Sequence, residues 1–573
     1  MEPGRRDSLA LLTDLYQFTM AYGYWRAGRQ REPAEFELFF RRCPFQGGFA
    51  LSAGLGECLA FLRGFRLRQP EIEYLQSVLP STMEKAFFDY LRTVDASEIT
   101  VSSVPEGSIV FATVPLLQVK GPLLVVQLLE TTLLSLVNYA SLVATNAARF
   151  RMLAGPDKKL LELGLRRAQG PDGGLSASKY SYIGGELRPG ARPACQLLAA
   201  GRSLSPLLPF GLHSPRPRAP DLSVPGFDWT SNVLAGKLYG VPVRATVAHS
   251  YIMSFTSLAE VQPRTLKPLD GDEPVDFLPL AESWLRQVCQ TLQVPHDRVN
   301  HGELAAFMSY AIAFPHNFYG LVDTYSIMGS GIPNFCAVAL ALNQLGYRTV
   351  GIRVDSGDLG KQAREIRQVL RTCSADFQVP WFATIPIAVS NDVSERSLEE
   401  LMQEGNEIDM IGIGTNLVTC PLQPSLGCVY KLVKVNGCSK LKLTEDEEKM
   451  TIPGSKVVYR LHAATGLAFM DLMALEEEPP PRAGQEVAVR MLGRSEAARR
   501  VTPTAVEILH RTYFKDGQVC QALPSLLEIK SHAQASLSTL SPAHKRLRDP
   551  EPYQVAVTEK LHFLLSDLRR SSR

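Results

Sequence analysis

The chain has 573 residues, of which 45% are hydrophobic and 21% are charged, so it can bury several ordinary globular cores. Lys and Arg (60) nearly balance Asp and Glu (58), and the net charge of +2 argues against a nucleic-acid-binding surface. The N-terminal sequence lacks the long apolar stretch of a signal peptide, and none of the ten cysteines forms a CxxC pair. We therefore expect free thiols and a location in the cytosol.

Residues 1–150 mix helical and strand patterns and are predicted to form an N-terminal α+β domain. The longest apolar run extends from Val114 to Val143 and is interrupted by Lys120, Gln127, Glu130 and Asn138, among other polar residues. A membrane span needs about 20 mostly apolar residues. The run therefore predicts a buried strand and helix, and no membrane partner is expected.

Residues 186–226 differ from the rest of the chain in composition. They contain eight of its 39 prolines and five arginines, and they have no Lys, Ile, Tyr or Trp. Proline fixes φ and lacks a backbone N–H, so this segment fits neither a helix interior nor a central strand. We predict an atypical insert that is largely disordered.

Between residues 230 and 420, short apolar strands alternate with amphipathic helices, as in VGIRVD followed by DLGKQAREIRQVL. The alternation predicts a parallel sheet, either open or closed into a barrel. One of these helices carries Leu359, Ala363, Ile366 and Leu370 on a single face. We predict a catalytic α/β domain over 151–420 and a C-terminal domain over 421–573 that ends in a basic helix.

Polar residues lie at the predicted end of the strand in VGIRVDSGD. Alternation along the strand places Arg353 and Asp355 on the face opposite Val354. Barrel enzymes keep their reactive groups at the carboxyl ends of strands, so this pair is a candidate for catalysis. A purely structural Arg–Asp pair is the alternative, and Asp358 is equally well explained as the cap of the next helix.

Other strand ends carry further candidates. In DMIGIGT, Gly412 and Gly414 have no side chains to cover their backbone N–H groups. This favours either a phosphate-binding nest or a tight structural turn. The remaining candidates, each with a structural alternative, are Asp323 in LVDTYS, Thr246, His249 and Ser250 in PVRATVAHS, Thr415 in IGIGT, and the basic pair Arg166 and Arg167. Together they predict an enzyme that acts on a phosphorylated sugar, without naming the base.

Longer motifs identify a family. The segments TDLYQFTMAYGYW, EFELFFRRCPF, SLVATNAARF, FDWTSNVLAG, AHSY, DTYS, RVDSGDL, IGIGTN and KLTEDEEKMTIPGSK occur in this order. The chain resembles nicotinate phosphoribosyltransferases of the animal type from about residue 9 to its C-terminus, except over 186–226. The resemblance implies a type II phosphoribosyltransferase fold, an irregular parallel α/β barrel with an N-terminal α+β domain and a C-terminal segment beside it. It also implies a homodimer with active sites at the interface.

The resemblance assigns roles at the matching positions. Nicotinate would stack between Tyr16, contributed across the dimer interface, and Phe227, while Arg353 holds its carboxylate with Thr246 nearby. Phosphoribosyl pyrophosphate would contact a second set of residues: Arg166, Asp323, Asp355, Ser390, Asn391, Gly412, Gly414 and Thr415. The basic residues of KMTIPGSK would face pyrophosphate or ATP.

The same resemblance implies the cofactors. Mg²⁺, or Mn²⁺, would be held by Asp323 and Asp355, because these ions prefer carboxylate and phosphate oxygens. ATP would be a co-substrate, hydrolysed through a phosphorylated histidine that matches His249. The implied reaction joins nicotinic acid to phosphoribosyl pyrophosphate and gives nicotinate mononucleotide, the first step of NAD salvage from nicotinate.

Two alternatives remain at this stage. One is the nicotinamide-specific relative, which shares the fold. The other is a catalytically impaired splice or gene-model variant acting as a non-catalytic subunit, because the family motif runs from YIGG directly into the segment that begins at Phe227. Residues 186–226 would then be a retained intron, and transcript sequencing across the junction tests this. The alternative interpretation of residues 186–226 is a surface loop that does not affect activity.

Overall fold

The computed structural model describes residues 9–184, 227–403, 405–444, 449, 451–492 and 498–571. The predicted insert at 186–226 lies outside the described residues. By contact density the chain divides into two units. Unit one comprises Met1–Arg149, Tyr180–Gly226 and Cys420–Arg573, and unit two comprises Phe150–Lys179 and Phe227–Thr419. No helix in the described ranges has the length and apolar character needed to cross a bilayer.

Unit one contains two large sheets. The first is antiparallel and has the strand order Cys438–Ser439, Cys428–Val435, Pro33–Phe40, Leu117–Pro122, Thr100–Ser103, Arg511–Lys515 and Gln518–Val519. The second has the order Arg499–Val501, Val487–Met491, Gln554–Thr558, Ala468–Leu475, Lys456–His462 and Ala505–Ile508. A two-stranded pair joins Ala50–Leu51 to Ile109–Val110.

The first sheet combines strands from both ends of the chain, so the N- and C-terminal segments share one unit. The division into three domains with boundaries near 150 and 420 otherwise stays a prediction. The helices of unit one are Leu15–Arg26, Leu55–Gly64, Gln69–Val78, Lys85–Leu91, Leu123–Leu128, Glu130–Ala154 (which runs on into unit two), Leu526–Ser538, Pro542–Lys545 and Glu559–Ser571.

The apolar run between Val114 and Val143 forms a strand and helices, as predicted. Leu117–Pro122 is a central strand of the antiparallel sheet, and the chain continues into Leu123–Leu128 and then Glu130–Ala154. Every residue of Leu123–Leu128 is buried, including the polar Gln127. The Gln127 amide donates to Glu130 over 2.8 Å, which satisfies the polar group inside the core.

Unit two is built on a six-stranded parallel sheet, which confirms the mixed α/β class. Its order is Tyr319–Leu321, Gly351–Val354, Ile387–Ser390, Met410–Ile413, Lys159–Glu162 and Trp229–Thr230. Six β-branched side chains are at most 1% exposed and form the core of this sheet: Ile352, Val354, Ile387, Val389, Ile411 and Ile413. The pair Thr265–Leu266 and Val275–Asp276 is a separate antiparallel ribbon.

Side-chain caps begin several helices of unit two. Asp358 accepts the Lys361 N–H over 2.9 Å at the start of Leu359–Asp376, so the capping interpretation of Asp358 is confirmed. The predicted apolar face of this helix is buried. The helices are Gly170–Ile183 (which runs on into unit one), Val233–Tyr239, His249–Met253, Phe277–Leu292, His301–Ala313, Ile332–Gln344, Leu359–Asp376, Glu395–Gln403 and Thr415–Val418.

Candidate active site

The carboxyl edge of the parallel sheet brings the predicted strand-end residues together. In the register of this sheet, Arg353 pairs with Leu321 on one side, and Ser390 pairs with Gly412. Asp355 follows its strand by one residue. Residues that are tens of positions apart in sequence therefore meet at one edge, as expected for an α/β enzyme.

Arg353 is the centre of a hydrogen-bonded network at this edge. Its Nε donates to Ser390 Oγ over 2.8 Å, Nη1 donates to Thr246 Oγ1 over 3.0 Å, and Nη2 donates to Asp355 Oδ2 over 3.0 Å. A guanidinium has five N–H groups. One N–H on Nη1 and one on Nη2 have no acceptor among the described residues. These two groups can receive a planar carboxylate through two parallel hydrogen bonds.

Two carboxylates and a histidine lie beside this network. Asp323 is 1% exposed, and its Oδ2 accepts the Asp355 N–H over 3.0 Å and the Ser356 hydroxyl over 2.6 Å. Its Oδ1 is buried and has no partner within the described chain. The His249 Nε2 is 3.9 Å from Asp323 Oδ1 and 3.8 Å from Asp355 Oδ2. A buried carboxylate oxygen without a partner in the described chain and a partly exposed imidazole therefore lie together at one corner of this edge.

A cavity of about 320 Å³ opens at this corner, which is large enough for a small heterocycle and its sugar. Its polar lining consists of Arg166, Ser231, Thr246, His249, Arg353 and Asp355, and its apolar lining includes Leu163, Leu165 and Leu321. Five of these polar residues are among the candidates from sequence; Ser231 is the addition.

The two glycines of the predicted phosphate nest are close to other groups. A Cβ at Gly412 would lie 2.6 Å from Leu163 Cδ1, and one at Gly414 would lie 3.3 Å from the Leu163 carbonyl oxygen. Glycine at 412 permits this close packing, and a Cβ there would displace the Leu163 side chain. The neighbouring Asn391 has a φ of 149°, so the turn after Ile387–Ser390 also has unusual backbone geometry. Whether a phosphate binds here stays a prediction.

Comparison with known proteins finds relatives along nearly the whole chain. Residues 11–138 match the nicotinate phosphoribosyltransferase (NAPRTase) N-terminal domain, and residues 455–565 match the nicotinate phosphoribosyltransferase C-terminal domain. The chain is 54% identical to the bovine (Bos taurus) nicotinate phosphoribosyltransferase over 99% of its own length and 97% of that protein. It is 55% identical to the human protein of that name, covering 98% of this chain and 97% of the relative.

This chain belongs to the nicotinate phosphoribosyltransferase family. Its structure is also similar to the crystal structure of human nicotinic acid phosphoribosyltransferase, with a TM-score of 0.82 and 51% identity over 97% of this chain and 99% of the other. The identification of the family from its motifs is therefore confirmed.

Not every residue that the family motifs suggest lies in the cavity of unit two. Tyr16 belongs to unit one, where it is 48% exposed on the first turn of Leu15–Arg26. Phe227 belongs to unit two, is 1% exposed and is not among the residues that line the cavity. Their stacking roles stay predictions.

The basic residue Lys456 of the family segment KMTIPGSK is buried beside a carboxylate of its own unit. Its side chain is fully buried in unit one, where Nζ donates to the carbonyl oxygens of Ile452 and Gly454 over 2.6 and 2.8 Å. It also lies 3.1 Å from Glu37 Oε2. Burial lowers the pKa of Lys456 and raises the pKa of Glu37. Lys456 therefore holds its own loop, and for this residue the expectation that it faces pyrophosphate or ATP is wrong.

The sequence did not point to the polar network behind Asp323. Glu303 is completely buried, and its Oε2 accepts from Ser330 Oγ over 2.5 Å and from Asn334 Nδ2 over 3.1 Å. Burial raises the pKa of Glu303 to about 7, and the nearby charge of Asp323 adds to the effect. Glu303 lies on a helix with an apolar sequence, HGELAAFMSYAIA, and this carboxylate among apolar neighbours was the available signal.

A second histidine contact also escaped the sequence analysis. Thr324 Oγ1 lies 3.0 Å from His249 Nδ1, directly after Asp323 in the DTYS motif. The hydroxyl is hydrogen-bonded to Nδ1, so Nε2 is the ring nitrogen that faces the carboxylates of Asp323 and Asp355. Thr324 therefore fixes the ring orientation of His249. Its position at a strand end, directly after the candidate Asp323, was the signal available in the sequence.

Proposed function

We propose that the chain is a nicotinate phosphoribosyltransferase. It transfers the phosphoribosyl group from phosphoribosyl pyrophosphate to the ring nitrogen of nicotinate, which yields nicotinate mononucleotide and pyrophosphate, the first step of NAD salvage from nicotinate. The main support is the geometry of Arg353, which presents two N–H groups at a cavity that is also lined by Asp355 and His249. Identity of 54–55% with relatives of that name supports the same assignment.

At the nicotinate end, Arg353 clamps the carboxylate. Thr246 and Ser390 hold the guanidinium plane at 3.0 and 2.8 Å, so the fork is oriented before the substrate arrives. Tyr16 stacks on the pyridine ring from the partner subunit of a homodimer, and its exposed ring is available for this contact. Phe227 is assigned to the other face of the ring on its motif alone.

At the phosphoribosyl end, carboxylates bind the ribose and backbone groups bind the phosphate. Asp323 and Asp355 accept from the ribose hydroxyls, and Arg166 faces the pyrophosphate. The 5-phosphate is received at the neighbouring strand ends by Ser390, Asn391, Gly412, Gly414 and Thr415.

The carboxylates fit a divalent cation. Asp323 Oδ1 is buried without a partner among the described residues, and Asp355 is close to the same corner. Mg²⁺, or Mn²⁺, is commonly held by one or two carboxylates together with substrate phosphates, as this arrangement allows. Bound there, the cation would stabilise the negative charge that develops on departing pyrophosphate.

The protein's own residues position the reacting groups. The bond from the anomeric carbon to pyrophosphate breaks as the bond to the ring nitrogen forms, and the ribose carries oxocarbenium-like charge between these events. Arg353 aligns the ring nitrogen through the carboxylate clamp, and the carboxylates of Asp323 and Asp355 stabilise the cationic sugar.

ATP acts as a co-substrate in this proposal. His249 accepts a phosphoryl group from ATP, and the phosphohistidine is then hydrolysed as the transfer reaction proceeds. The imidazole is 37% exposed, so a nucleotide phosphate can reach it, and Thr324 fixes its orientation. The parallel sheet is proposed to be part of an irregular barrel, and the cytosol is the proposed compartment.

The test is product formation by the purified full chain. Nicotinate, phosphoribosyl pyrophosphate and Mg²⁺ should yield nicotinate mononucleotide by mass, with ADP accumulating when ATP is added. Asp355→Asn should abolish most turnover, whereas Lys361→Gln, on an exposed turn of the following helix, should not. Turnover of nicotinamide in place of nicotinate, or no turnover at all, would contradict the proposal.

A further inference from the structure

Glu162 is a buried carboxylate with no role in the reaction described above. It ends the strand Lys159–Glu162, is 1% exposed, and pairs with no cation anywhere in the described part of the chain. Burying an unpaired charge is costly unless hydrogen bonds compensate for the lost water. The hydrogen bonds that compensate for the lost water therefore show what Glu162 holds in place.

Three donors from three separate segments satisfy Glu162. Its Oε1 accepts the Gly164 N–H from the loop that follows the strand. Its Oε2 accepts Ser178 Oγ over 2.9 Å from the helix Gly170–Ile183, and Thr230 Oγ1 from the strand Trp229–Thr230. Asn232 extends the network, because its Nδ2 donates to Ser178 Oγ over 3.1 Å.

Two of these segments continue directly into the wall of the cavity. The loop after Glu162 contributes Leu163, Leu165 and Arg166 to the lining, and the turn after Thr230 contributes Ser231. The backbone strengthens the link, since the Ser231 N–H donates to the Glu162 carbonyl over 3.0 Å.

The loop that carries Arg166 has little freedom on its other side. A Cβ at Gly164 would lie 2.2 Å from Val418 Cγ1, so the loop is packed against the helix Thr415–Val418. Leu163 covers Gly412 in the same way. The hydrogen bond from the Gly164 N–H to Glu162 ties this loop to the carboxylate.

We propose that Glu162 is a positioning residue for the pyrophosphate end of the active site. Its carboxylate fixes the spacing between the Arg166 loop and the Ser231 turn, and it touches no substrate. The inference rests on the proposed function, specifically on Arg166 facing phosphoribosyl pyrophosphate.

The variant Glu162→Gln preserves size but replaces one acceptor oxygen by an NH₂ group, which cannot accept from a hydroxyl. A displacement of about 1 Å in a positioning group can cost roughly a hundredfold in rate. We expect kcat/KM for phosphoribosyl pyrophosphate to fall about tenfold or more because its KM rises. The KM for nicotinate should change by less than about threefold.

Thr230→Val and Ser178→Ala each remove one donor and should shift the same parameter in the same direction. In combination with Glu162→Gln, Thr230→Val should add little, because the interaction has already been lost. If Glu162→Gln does not fold, the proposal is tested with Thr230→Val and Ser178→Ala alone. Thermal unfolding of each variant controls for general destabilisation.

The wild-type chain is assayed first, so the two proposals fail separately. Absence of nicotinate mononucleotide formation by the wild type refutes the proposed function. With an active wild type, equal rises in the KM values of both substrates, or unchanged KM for phosphoribosyl pyrophosphate in folded variants, overturn the role of Glu162.

Discussion

Replacing Arg353 by Lys should separate charge from geometry at the nicotinate end of the cavity. The guanidinium donates to Ser390, Thr246 and Asp355 and still presents one N–H on each terminal nitrogen. Lysine retains the positive charge but offers a compact ammonium in place of a planar fork. The substitution therefore tests the two parallel hydrogen bonds and leaves the net charge unchanged.

The expected loss follows from those two bonds. A hydrogen bond to a charged group contributes about 1.5–3 kcal/mol, and Lys can recover one of the two. The net loss of about 1.5–3 kcal/mol corresponds to a fall of about 10- to 150-fold in kcat/KM for nicotinate. The effect on phosphoribosyl pyrophosphate should be smaller, because Lys can still pair with Asp355.

The assay is the initial rate of nicotinate mononucleotide formation as each substrate is varied while the other is saturating. Arg371→Lys is the matched control, because Arg371 lies in the same unit with a half-exposed side chain. A folded Arg353→Lys variant that loses equally in kcat/KM for both substrates would refute the carboxylate clamp. So would a loss of less than about threefold for nicotinate.

Three further changes test other parts of the structure. Because the folded pKa of Glu303 is raised from 4.5 to about 7, stability should fall by up to about 3 kcal/mol as pH rises through that window. Urea unfolding at several pH values should show a flatter profile for Glu303→Gln, and parallel profiles would contradict this. Asp358→Ala should cost about 1 kcal/mol of unfolding free energy, since it removes the cap of Leu359–Asp376, with kcat/KM nearly unchanged; a large kinetic loss in a stable protein would count against the capping role. Deleting 186–226 should leave kcat/KM within a few-fold, because Asp228 is fixed by an ion pair to Arg151 at 2.7 Å and loop length costs little. Turnover by the deleted form alone would show that the insert blocks the site.

The local pattern of the strands was predictable because its physical cause is local. Alternation placed Arg353 and Asp355 on one face, and the two side chains do form a pair 3.0 Å apart. Helical periodicity likewise predicted the buried face of Leu359–Asp376. These features depend on neighbours a few residues away, which a single sequence contains.

Contacts that depend on distant partners were not predictable in this way. Glu162 in KLLELG has no local feature that distinguishes it from a solvated strand end, and its burial follows from packing by the helix Gly170–Ile183. Lys456 shows the opposite error. The resemblance implied that this residue faces pyrophosphate or ATP, but Glu37, more than 400 residues earlier, is its partner. Pairing across such separations is set by sheet assembly rather than by local sequence.

Direct competition between nicotinate and nicotinamide tests most sharply whether unit two holds a site selective for nicotinate. The full chain is incubated with equimolar nicotinate and nicotinamide, with phosphoribosyl pyrophosphate, Mg²⁺ and ATP, and the two mononucleotides are quantified from one reaction. We expect almost only nicotinate mononucleotide, because the two N–H groups of Arg353 match a carboxylate and not an amide. Predominance of nicotinamide mononucleotide, or neither product from a folded chain, would contradict it.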